Sequence, residues 1–474
     1  MRRPLRRPYR IVLATLAVAA FLLVGWYLAM IGTATPASAD NLCAPSSSYT
    51  TIQDAINDAG DGDTVQIVHG TWYENLDITE TITLQGGWNK GCTVRTPAAP
   101  QDTTIDGGAA DHVVEITGGS TATLDGLTLT NGHAKMGGGV YVSGASPTLD
   151  NVVVASNVIS PTGSGPANWA YGGGVYVYDG TITLTDCDIT DNTCYPGVSD
   201  NCFGGGLALD AIYGAEGRAV LENTHIMSNT NPSDSYLLGG GLYLDPGSQV
   251  TFEGTENRIA YNEARAGGGV YMYGDVDLER VLILENYASM NGGGIFLASG
   301  FNGGRIANNY LVGNNANTGA SVLASDMNVE IANNTIVGDF SGSGAGILVV
   351  DTGGGVLELT NNVVVSHTIG IKRSDAGSAS ATLANNDVWD NTTDYAGFPA
   401  GSGDISLDPG FEDPDNGDYH LGSESPCIDA GTYVEGLYFD YDGDRRTGRL
   451  LDIGADEYHM DPFFIPVAVR NYSP

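Results

Sequence analysis

The chain has 474 residues, among them 67 glycines and 56 acidic residues but only 19 lysines and arginines, which gives a formal net charge of -37 at pH 7. This charge disfavours nucleic acid and anionic membrane surfaces as partners and favours cations or neutral glycans. Hydrophobic residues make up 42% of the chain, enough for a sizeable core, yet long stretches of helix-forming residues are missing. The composition therefore indicates β-structure.

Residues 1–39 have the pattern of an export signal. A basic start, MRRPLRRPYR, precedes an apolar stretch from Ile11 to Ile31 and the small-residue site Ala37-Ser38-Ala39. The apolar stretch is about as long as a membrane span, so an uncleaved N-terminal anchor is the alternative. Five arginines lie in this segment, and its removal leaves 14 basic residues against 56 acidic ones. We expect a secreted or cell-surface monomer, without a membrane span in the mature chain if the signal is cleaved.

One short helix is predicted before the first strands. Ile52, Ala55, Ile56 and Ala59 recur at helical spacing, and from Val65 onward the pattern changes to that of strands. A helix at this point would cover the first coil of a stacked structure, whose strand edges are otherwise unpaired.

The middle of the chain is repetitive. The phrase GGGVYV begins at Gly137, and near copies begin at the first glycine of five later triplets: Gly172, Gly204, Gly239, Gly267 and Gly292. Between the triplets lies a second phrase with a polar turn, as in TLDNVVVASN and RIANNYLVGN. Each repeat supplies about three short strands with no helical spacer, so parallel pairing requires each strand to meet its copy one coil later. The pattern predicts an all-β parallel β-helix.

Asparagine pairs recur at equivalent places in the later repeats. They are Asn308/Asn309, Asn333/Asn334, Asn361/Asn362 and Asn385/Asn386. Asparagine tolerates left-handed backbone conformations and bonds to its own backbone, so we expect these pairs to stack at one corner of the coils.

Aromatic residues follow each glycine triplet at a fixed offset. If Val140 and Val142 point inward, Tyr141 points outward. The same logic predicts two outward columns. The first column consists of Tyr141, Tyr176, Ala208, Tyr243, Tyr271 and Phe296. The second column lies two residues later in each repeat and consists of Ser143, Tyr178, Asp210, Asp245, Tyr273 and Ala298. The aromatic members, which would stack on sugar rings as an exposed platform, are Tyr141, Tyr176, Tyr178, Tyr243, Tyr271, Tyr273 and Phe296. The alternative is a ladder that only stabilises neighbouring strands.

Asp210 and Asp245 fall side by side in the second column. Two adjacent carboxylates repel, so one would hold a proton more tightly, as an acid/base pair requires, or both would share a cation. The alternative interpretation is two solvated surface acids.

Six cysteines in an exported chain allow disulfides. We favour Cys43 with Cys92, and one bridge within the group Cys187, Cys194 and Cys202. The remaining cysteine, Cys427, has no clear partner.

The helix-to-strand opening resembles that of secreted right-handed β-helix proteins of the pectate-lyase-like class, and the Gly/Asn repeats are similar to those of bacterial parallel β-helix repeat proteins. The resemblance implies a single-stranded right-handed solenoid of about 10 to 12 coils over residues 40–403, with the capping helix and a small C-terminal cap. The activities of this class are not matched. Lys90, Lys135 and Lys372 lie in no recognisable catalytic motif, and Gly132-His133-Ala134 and Ile371-Lys372-Arg373 are poor copies of polygalacturonase phrases.

Residues 404–458 differ in character from the repeats. The phrases SPCIDAG and DIGADEY resemble the choice-of-anchor Q segment of bacterial surface β-helix proteins, which precedes varied sorting tails, here residues 459–474. Within this segment Asp440, Asp442 and Asp444 alternate, so their oxygens could converge on calcium. An acidic turn is the alternative.

The sequence leads to three hypotheses. The first is an exported, non-catalytic protein, adhesin-like or glycan-binding through the outer face of the solenoid. The second is a polysaccharide-active enzyme, a lyase or glycoside hydrolase, that uses Asp210 and Asp245 on the same face. The third is a structural spacer. The fold hosts all three roles and does not choose among them.

Overall fold

The computed structural model describes residues 39–96, 100–160, 169–195, 201–211, 216–230, 236–273, 277–298, 303–317, 320–325, 328–339, 344–350, 356–374, 380–446 and 451–459. The predicted export segment and the C-terminal tail thus lie outside the described residues, except for Ala39 and His459. Within these ranges, no helix is both long and apolar enough to cross a membrane.

The chain coils through stacked parallel sheets, and each strand pairs with its copy in the next coil. Sheet 1 has twelve described strands: Gly70–Tyr73, Thr103–Asp106, Thr128–Thr130, Val153–Ala155, Asp188–Thr190, His225–Met227, Arg258–Ala260, Leu282–Leu284, Tyr310–Val312, Thr335–Val337, Val363–Val365 and Asp387–Trp389. Sheet 2, which contains the strands after the glycine triplets, also has twelve: Leu76–Ile78, Val114–Ile116, Val140–Ser143, Val175–Tyr178, Leu207–Asp210, Leu242–Leu244, Val270–Met272, Ile295–Leu297, Ala320–Ser325, Ala345–Val350, Ile369–Arg373 and Thr393–Ala396.

Two further faces complete the coils. Sheet 3 comprises a run of eight described strands and a run of five: Asn41–Ala44, Thr64–Val68, Thr83–Trp88, Thr123–Asp125, Thr148–Asp150, Gly180–Thr185, Gly217–Glu222 and Gln249–Glu253, then Asp277–Glu279, Arg305–Ala307, Val329–Ala332, Val356–Thr360 and Ser380–Ala384. Sheet 4 lies before the glycine triplets and comprises Trp169–Tyr171, Asn201–Phe203, Tyr236–Leu238, Glu263–Ala266, Tyr287–Asn291 and Asn315–Ala316, with a shorter run His133–Ala134, Val158–Ile159 and Thr193–Cys194. The parallel β-helix that the repeats predict is confirmed.

The core lies inside the coils, where identical positions stack. Leu124, Leu149, Leu184 and Leu221 pair in register along sheet 3, and all four are fully buried. Because side chains alternate along a strand, alternate residues of these strands enter this core.

Asparagines stabilise two corners of the coils. The predicted pairs lie at the corner between sheets 3 and 1. The first residue of each pair, from Asn308 to Asn385, has a left-handed backbone conformation with φ between 53° and 55°. The second residue is buried, and its side chain bonds to the next coil. The predicted stacking is confirmed. A second, longer ladder lies between sheets 1 and 4, and its members are Asn157, Asn192, Asn229, Asn262, Asn286 and Asn314.

The glycine triplets turn the chain from sheet 4 into sheet 2. Gly172 has φ +63°, and a Cβ there would lie 2.1 Å from the Val175 carbonyl oxygen. At Gly174, a Cβ would come within 2.7 Å of the Ile189 side chain in the core. The triplet therefore permits both a left-handed turn and the close approach of backbone to neighbouring side chains.

The helix Ile52–Asp58 closes the first coil, as predicted. Thr51 and Asp54 form a capping box, and Ile52, Ala55 and Ile56 are buried against the first strands. A 3-10 turn, Pro100–Asp102, lies further along.

Residues 404–446 and 451–459, together called the C-terminal segment, fold back along the outside of sheet 1 instead of covering only the last coil. This segment contains the antiparallel pair Phe411–Asp413 and Asp418–Leu421 and the 3-10 turn Pro414–Asn416. Its contacts reach from Asn385, which donates to the Ala430 carbonyl, to Thr255, whose carbonyl accepts a bond from the Tyr441 hydroxyl.

Both favoured disulfides are present. Cys43 bonds to Cys92, and Cys194 bonds to Cys202. Cys187 and Cys427 are buried thiols, and Cys427 donates to Asp387.

Candidate functional site

The outer face of sheet 2 carries the predicted tyrosine column. Tyr141 pairs in register with Tyr176, and the register continues through the rest of the set Ala208, Tyr243, Tyr271 and Phe296. The pairing of Tyr178 with Asp210 places the second column beside the first. The sequence thus predicted the alignment of both columns correctly.

The expected exposure is wrong for three tyrosines of the first column, whereas Tyr141 and Phe296 are half-buried. Tyr176, Tyr243 and Tyr271 are each at most 6% exposed. The ring of Tyr176 stacks on that of Tyr141, with centroids 5.7 Å apart. The ring of Tyr271 stacks on Tyr243 at 5.8 Å and on Phe296 at 4.9 Å. Because the ring faces are used within the column, a sugar cannot stack on them.

Residues that immediately precede the glycine triplets cover the column. Tyr171 and Phe203 lie on adjacent strands of sheet 4, stack with centroids 4.7 Å apart, and fill the space above the small Ala208. Tyr171 contacts Tyr176 at 5.5 Å, and Phe203 contacts Tyr243 at 4.9 Å. The recurring order aromatic-Gly-Gly-Gly, present at both places, was the sequence feature that could have predicted this cover.

Aromatic rings at the two margins of the covered column keep solvent access. The outward positions of one coil are, in chain order, Trp169, Tyr171, Tyr176 and Tyr178. The two central rings are buried, whereas Trp169 is 42% exposed and Tyr178 is half-buried. Tyr273 occupies the position of Tyr178 on a later coil and is half-buried as well. Trp169 was not among the predicted site residues, although its alternation with Tyr171 marks it as outward.

Asp210 and Asp245 are held together by tyrosines. Asp210 is 3% exposed and accepts a hydrogen bond of 2.6 Å from the Tyr176 hydroxyl, while Asp245 accepts one of 3.0 Å from Tyr243. Burial, then the Asp210 charge, raise the pKa of Asp245 to about 6, and the two carboxyl groups also share a hydrogen bond. The interpretation as two solvated surface acids is therefore wrong for Asp210. The pair is a partly buried unit in which the Asp245 carboxyl group binds its proton more tightly than a free aspartate does.

We expect this pair to make the free energy of unfolding depend on pH. Because an unfolded aspartate titrates near 3.9, the folded protein holds a proton between about pH 4 and 6 that the unfolded chain has lost, so Asp245 makes stability fall as pH rises through that window. Asp245→Asn should remove this contribution and stabilise the protein at pH 7 by about 1 kcal/mol, discounted for partial exposure.

Urea unfolding of the wild type and the variant at pH 4, 5, 6 and 7 measures this effect. The control is Asp191→Asn, an exposed aspartate at a left-handed position that asparagine also tolerates. Parallel stability curves for the wild type and Asp245→Asn would contradict the expectation.

The three predicted calcium ligands divide between two groups. Asp442 lies with His420 and Asp456, whereas Asp440 and Asp444 lie with His459, and in each group the ligand atoms are within 4.8 Å of one another. Asp440 is fully buried and accepts hydrogen bonds from the Asp444 and Glu457 backbone amides. The structure therefore offers acidic groupings that could hold a metal, but not the single set that the sequence predicted.

His420 links two aspartates in the first of these groups. Its Nδ1 lies 2.5 Å from Asp418 Oδ1 and its Nε2 lies 2.8 Å from Asp442 Oδ2. Burial lowers the pKa of His420, but the hydrogen bond and charge of Asp442 outweigh it and raise the pKa to about 10.

The coils, their asparagine corners and their stacked outer columns define a parallel β-helix protein. The family model described as "Right handed beta helix region" matches residues 112–336 and 211–388, which together span more than half of the chain, and the protein belongs to this family. This match also shows that the solenoid is right-handed.

Two solved structures are similar in fold. A pectate lyase, Pel9A, is 14% identical, with a TM-score of 0.42, over 89% of this chain and 97% of that one. A mutant of the periplasmic alginate epimerase AlgG is 10% identical, with a TM-score of 0.32, over 78% of this chain and 73% of that one. No curated protein matches the chain in sequence.

Proposed function

We propose that the protein is an exported, non-catalytic β-helix protein that binds a neutral glycan across the outer faces of sheets 4 and 2. The observation that carries the proposal is the pair of rings with solvent access, Trp169 and Tyr178, at opposite margins of a packed aromatic layer on one coil. Rings held in place by packing lose little conformational entropy when a ligand binds, and they present an apolar body with a polar tip.

Polar groups beside these rings suit sugar hydroxyls. Asp245 lies in the column of Tyr178 and Tyr273 and is half-buried, so its carboxyl group can accept hydrogen bonds from a ligand. A neutral glycan is favoured because a chain with 56 acidic residues repels a polyanion. The two disulfides support export, and we assign residues 404–458 to a choice-of-anchor Q-like segment on the two phrases that resemble it.

We expect Trp169→Ala combined with Tyr178→Ala to weaken glycan binding by about ten-fold, because two aromatic contacts are lost. Affinity electrophoresis against neutral polysaccharides such as xylan, mannan and β-glucan, with polygalacturonate and alginate as acidic comparators, measures the effect. Each gel is run with and without calcium, so that a cation-bridged acidic ligand is detected.

The matched control is Tyr73→Ala, which removes a tyrosine that is 76% exposed on sheet 1. Equal weakening by the control, or no retention on any glycan, would contradict the proposal.

The raised pKa of Asp245, which makes its carboxylate a stronger base, favours a second candidate, a polysaccharide lyase. A glycoside hydrolase needs carboxyl groups about 5 Å or more apart, whereas Asp210 and Asp245 share a hydrogen bond, so a hydrolase fits poorly. Release of unsaturated sugar ends by the wild type, and its loss in Asp245→Asn, would establish the lyase and remove the non-catalytic proposal.

A further inference from the structure

A polar cluster lies where the C-terminal segment packs on sheet 1. His420 Nε2 and carboxylate oxygens of Asp442 and Asp456 are mutually within 4.8 Å. The side chains of His420 and Asp442 are 7% and 8% exposed, and Asp456 is buried. The three residues come from three separate stretches of the segment, and they meet beside Tyr310 of sheet 1.

Neighbouring groups orient two of these side chains, those of His420 and Asp456. Asp418 Oδ1 accepts from His420 Nδ1, which turns Nε2 toward Asp442, and the Leu421 backbone amide donates to Asp456 Oδ2 at 2.8 Å. A carboxylate on the far nitrogen of a histidine is the arrangement that holds and orients metal-ligating imidazoles.

Tyr310 supplies an independent observation. It is 2% exposed, and its hydroxyl has no hydrogen-bond partner among the described residues. Its ring lies 4.6 Å from the Tyr441 ring and 6.0 Å from that of His420, and the charges that act most strongly on its hydroxyl are those of Asp456 and Asp442. A buried hydroxyl normally has a partner, so this one indicates that a ligand completes the cluster.

The carboxyl groups of the cluster outnumber its cations. Asp418, Asp442 and Asp456 surround a single imidazole. The nearby Arg446 is engaged elsewhere, because it donates to Glu457 and to the Gly454 carbonyl. Buried carboxylates in excess of cations are costly unless a metal or another positive group balances them.

We propose that His420, Asp442 and Asp456 bind a divalent transition-metal ion, with the Tyr310 hydroxyl facing its fourth coordination position. One imidazole nitrogen with two carboxylate oxygens suits Zn²⁺, whereas Ca²⁺ and Mg²⁺ take oxygen ligands. The ion joins three stretches of the C-terminal segment above sheet 1, so its role is structural.

The test uses the full chain after removal of metals with a chelator. Titration with ZnCl₂, followed by calorimetry and by the melting temperature, should show one ion per chain and a raised melting temperature, with much weaker effects of CaCl₂ and MgCl₂. Substitution by Co²⁺ should give the visible absorption of a four-coordinate nitrogen and oxygen site.

Two isosteric variants separate this cluster from its neighbour. Asp456→Asn should weaken Zn²⁺ binding at least about 100-fold, while Asp444→Asn, in the group with Asp440 and His459, should leave it unchanged. Tyr310→Phe should fold at least as stably as the wild type without metal, because its hydroxyl has no protein partner, and should show a smaller Zn²⁺-dependent rise in melting temperature. This variant keeps the test decisive if Asp456→Asn does not fold.

Three results would overturn the proposal. They are the absence of one-to-one Zn²⁺ binding, loss of binding in Asp444→Asn but not in Asp456→Asn, and an unchanged Zn²⁺-dependent melting shift in Tyr310→Phe.

Discussion

Replacement of Asn229 by aspartate is expected to destabilise the protein by about 4 kcal/mol. The Asn229 amide nitrogen donates to the Ile189 carbonyl at 2.9 Å and to Asn262 Oδ1 at 3.0 Å, and its oxygen accepts from the Asn192 backbone and side chain. Aspartate has the same shape but no donor, so a buried carboxylate would face two acceptor oxygens. Urea unfolding monitored by far-UV circular dichroism measures the loss.

The matched control is Asn57→Asp, the same change at an exposed position near the end of the capping helix. It should alter stability by about 0.5 kcal/mol or less. Similar losses in the two variants would show that the ladder at Asn229 contributes little.

Arg446→Ala is expected to cost about 3 to 5 kcal/mol, because it leaves the buried Glu457 carboxylate without its cation. The Arg446 side chain is fully buried, and it donates to Glu457 Oε2 at 2.9 Å, to the Gly454 carbonyl at 2.7 Å and to Asn308 Oδ1 at 3.3 Å. The last of these bonds reaches the solenoid, so we expect the C-terminal segment to become more sensitive to limited proteolysis.

Arg218→Ala serves as the comparison, since Arg218 forms an exposed ion pair with Glu216. Exposed pairs contribute about 1 kcal/mol or less. If Arg446→Ala and Arg218→Ala unfold at the same urea concentration, the buried pair does not hold the segment.

The coil architecture was predictable because it follows from local rules that repeat. Gly172 and its counterparts must turn, Asn308 and its counterparts must adopt left-handed conformations, and alternation decides that Val140 enters the core while Tyr141 does not. Each of these decisions depends on residues within a few positions in the chain.

The burial of the tyrosine column was not predictable from alternation alone. Alternation tells which side of a strand a residue takes, but whether that side is covered depends on the neighbouring sheet, here on Tyr171 and Phe203. The second asparagine ladder was also missed, because five of its six members, such as Asn192 and Asn229, stand singly in the sequence and not in pairs.

The cluster of His420, Asp442 and Asp456 depends on contacts between distant parts of the chain. Asp442 and His420 are 22 residues apart, and Tyr310 lies more than 100 residues before either. Their approach follows from the path of the C-terminal segment along sheet 1, which no short motif encodes. The alternating positions of Asp440, Asp442 and Asp444 predicted one shared ion. In the structure these residues lie in an irregular turn, so their side chains face different partners.

The path of the C-terminal segment changes how the solenoid can open. In a simple repeat array each unit touches only its neighbours, so the terminal unit can fray first and alone. Here the segment bonds to successive coils at Arg280, Arg305, Thr335, Asn361 and Asn385. The last coils all bond to the same C-terminal segment. Unfolding from that end therefore requires the segment to detach first, after which these coils unfold together as one cooperative unit.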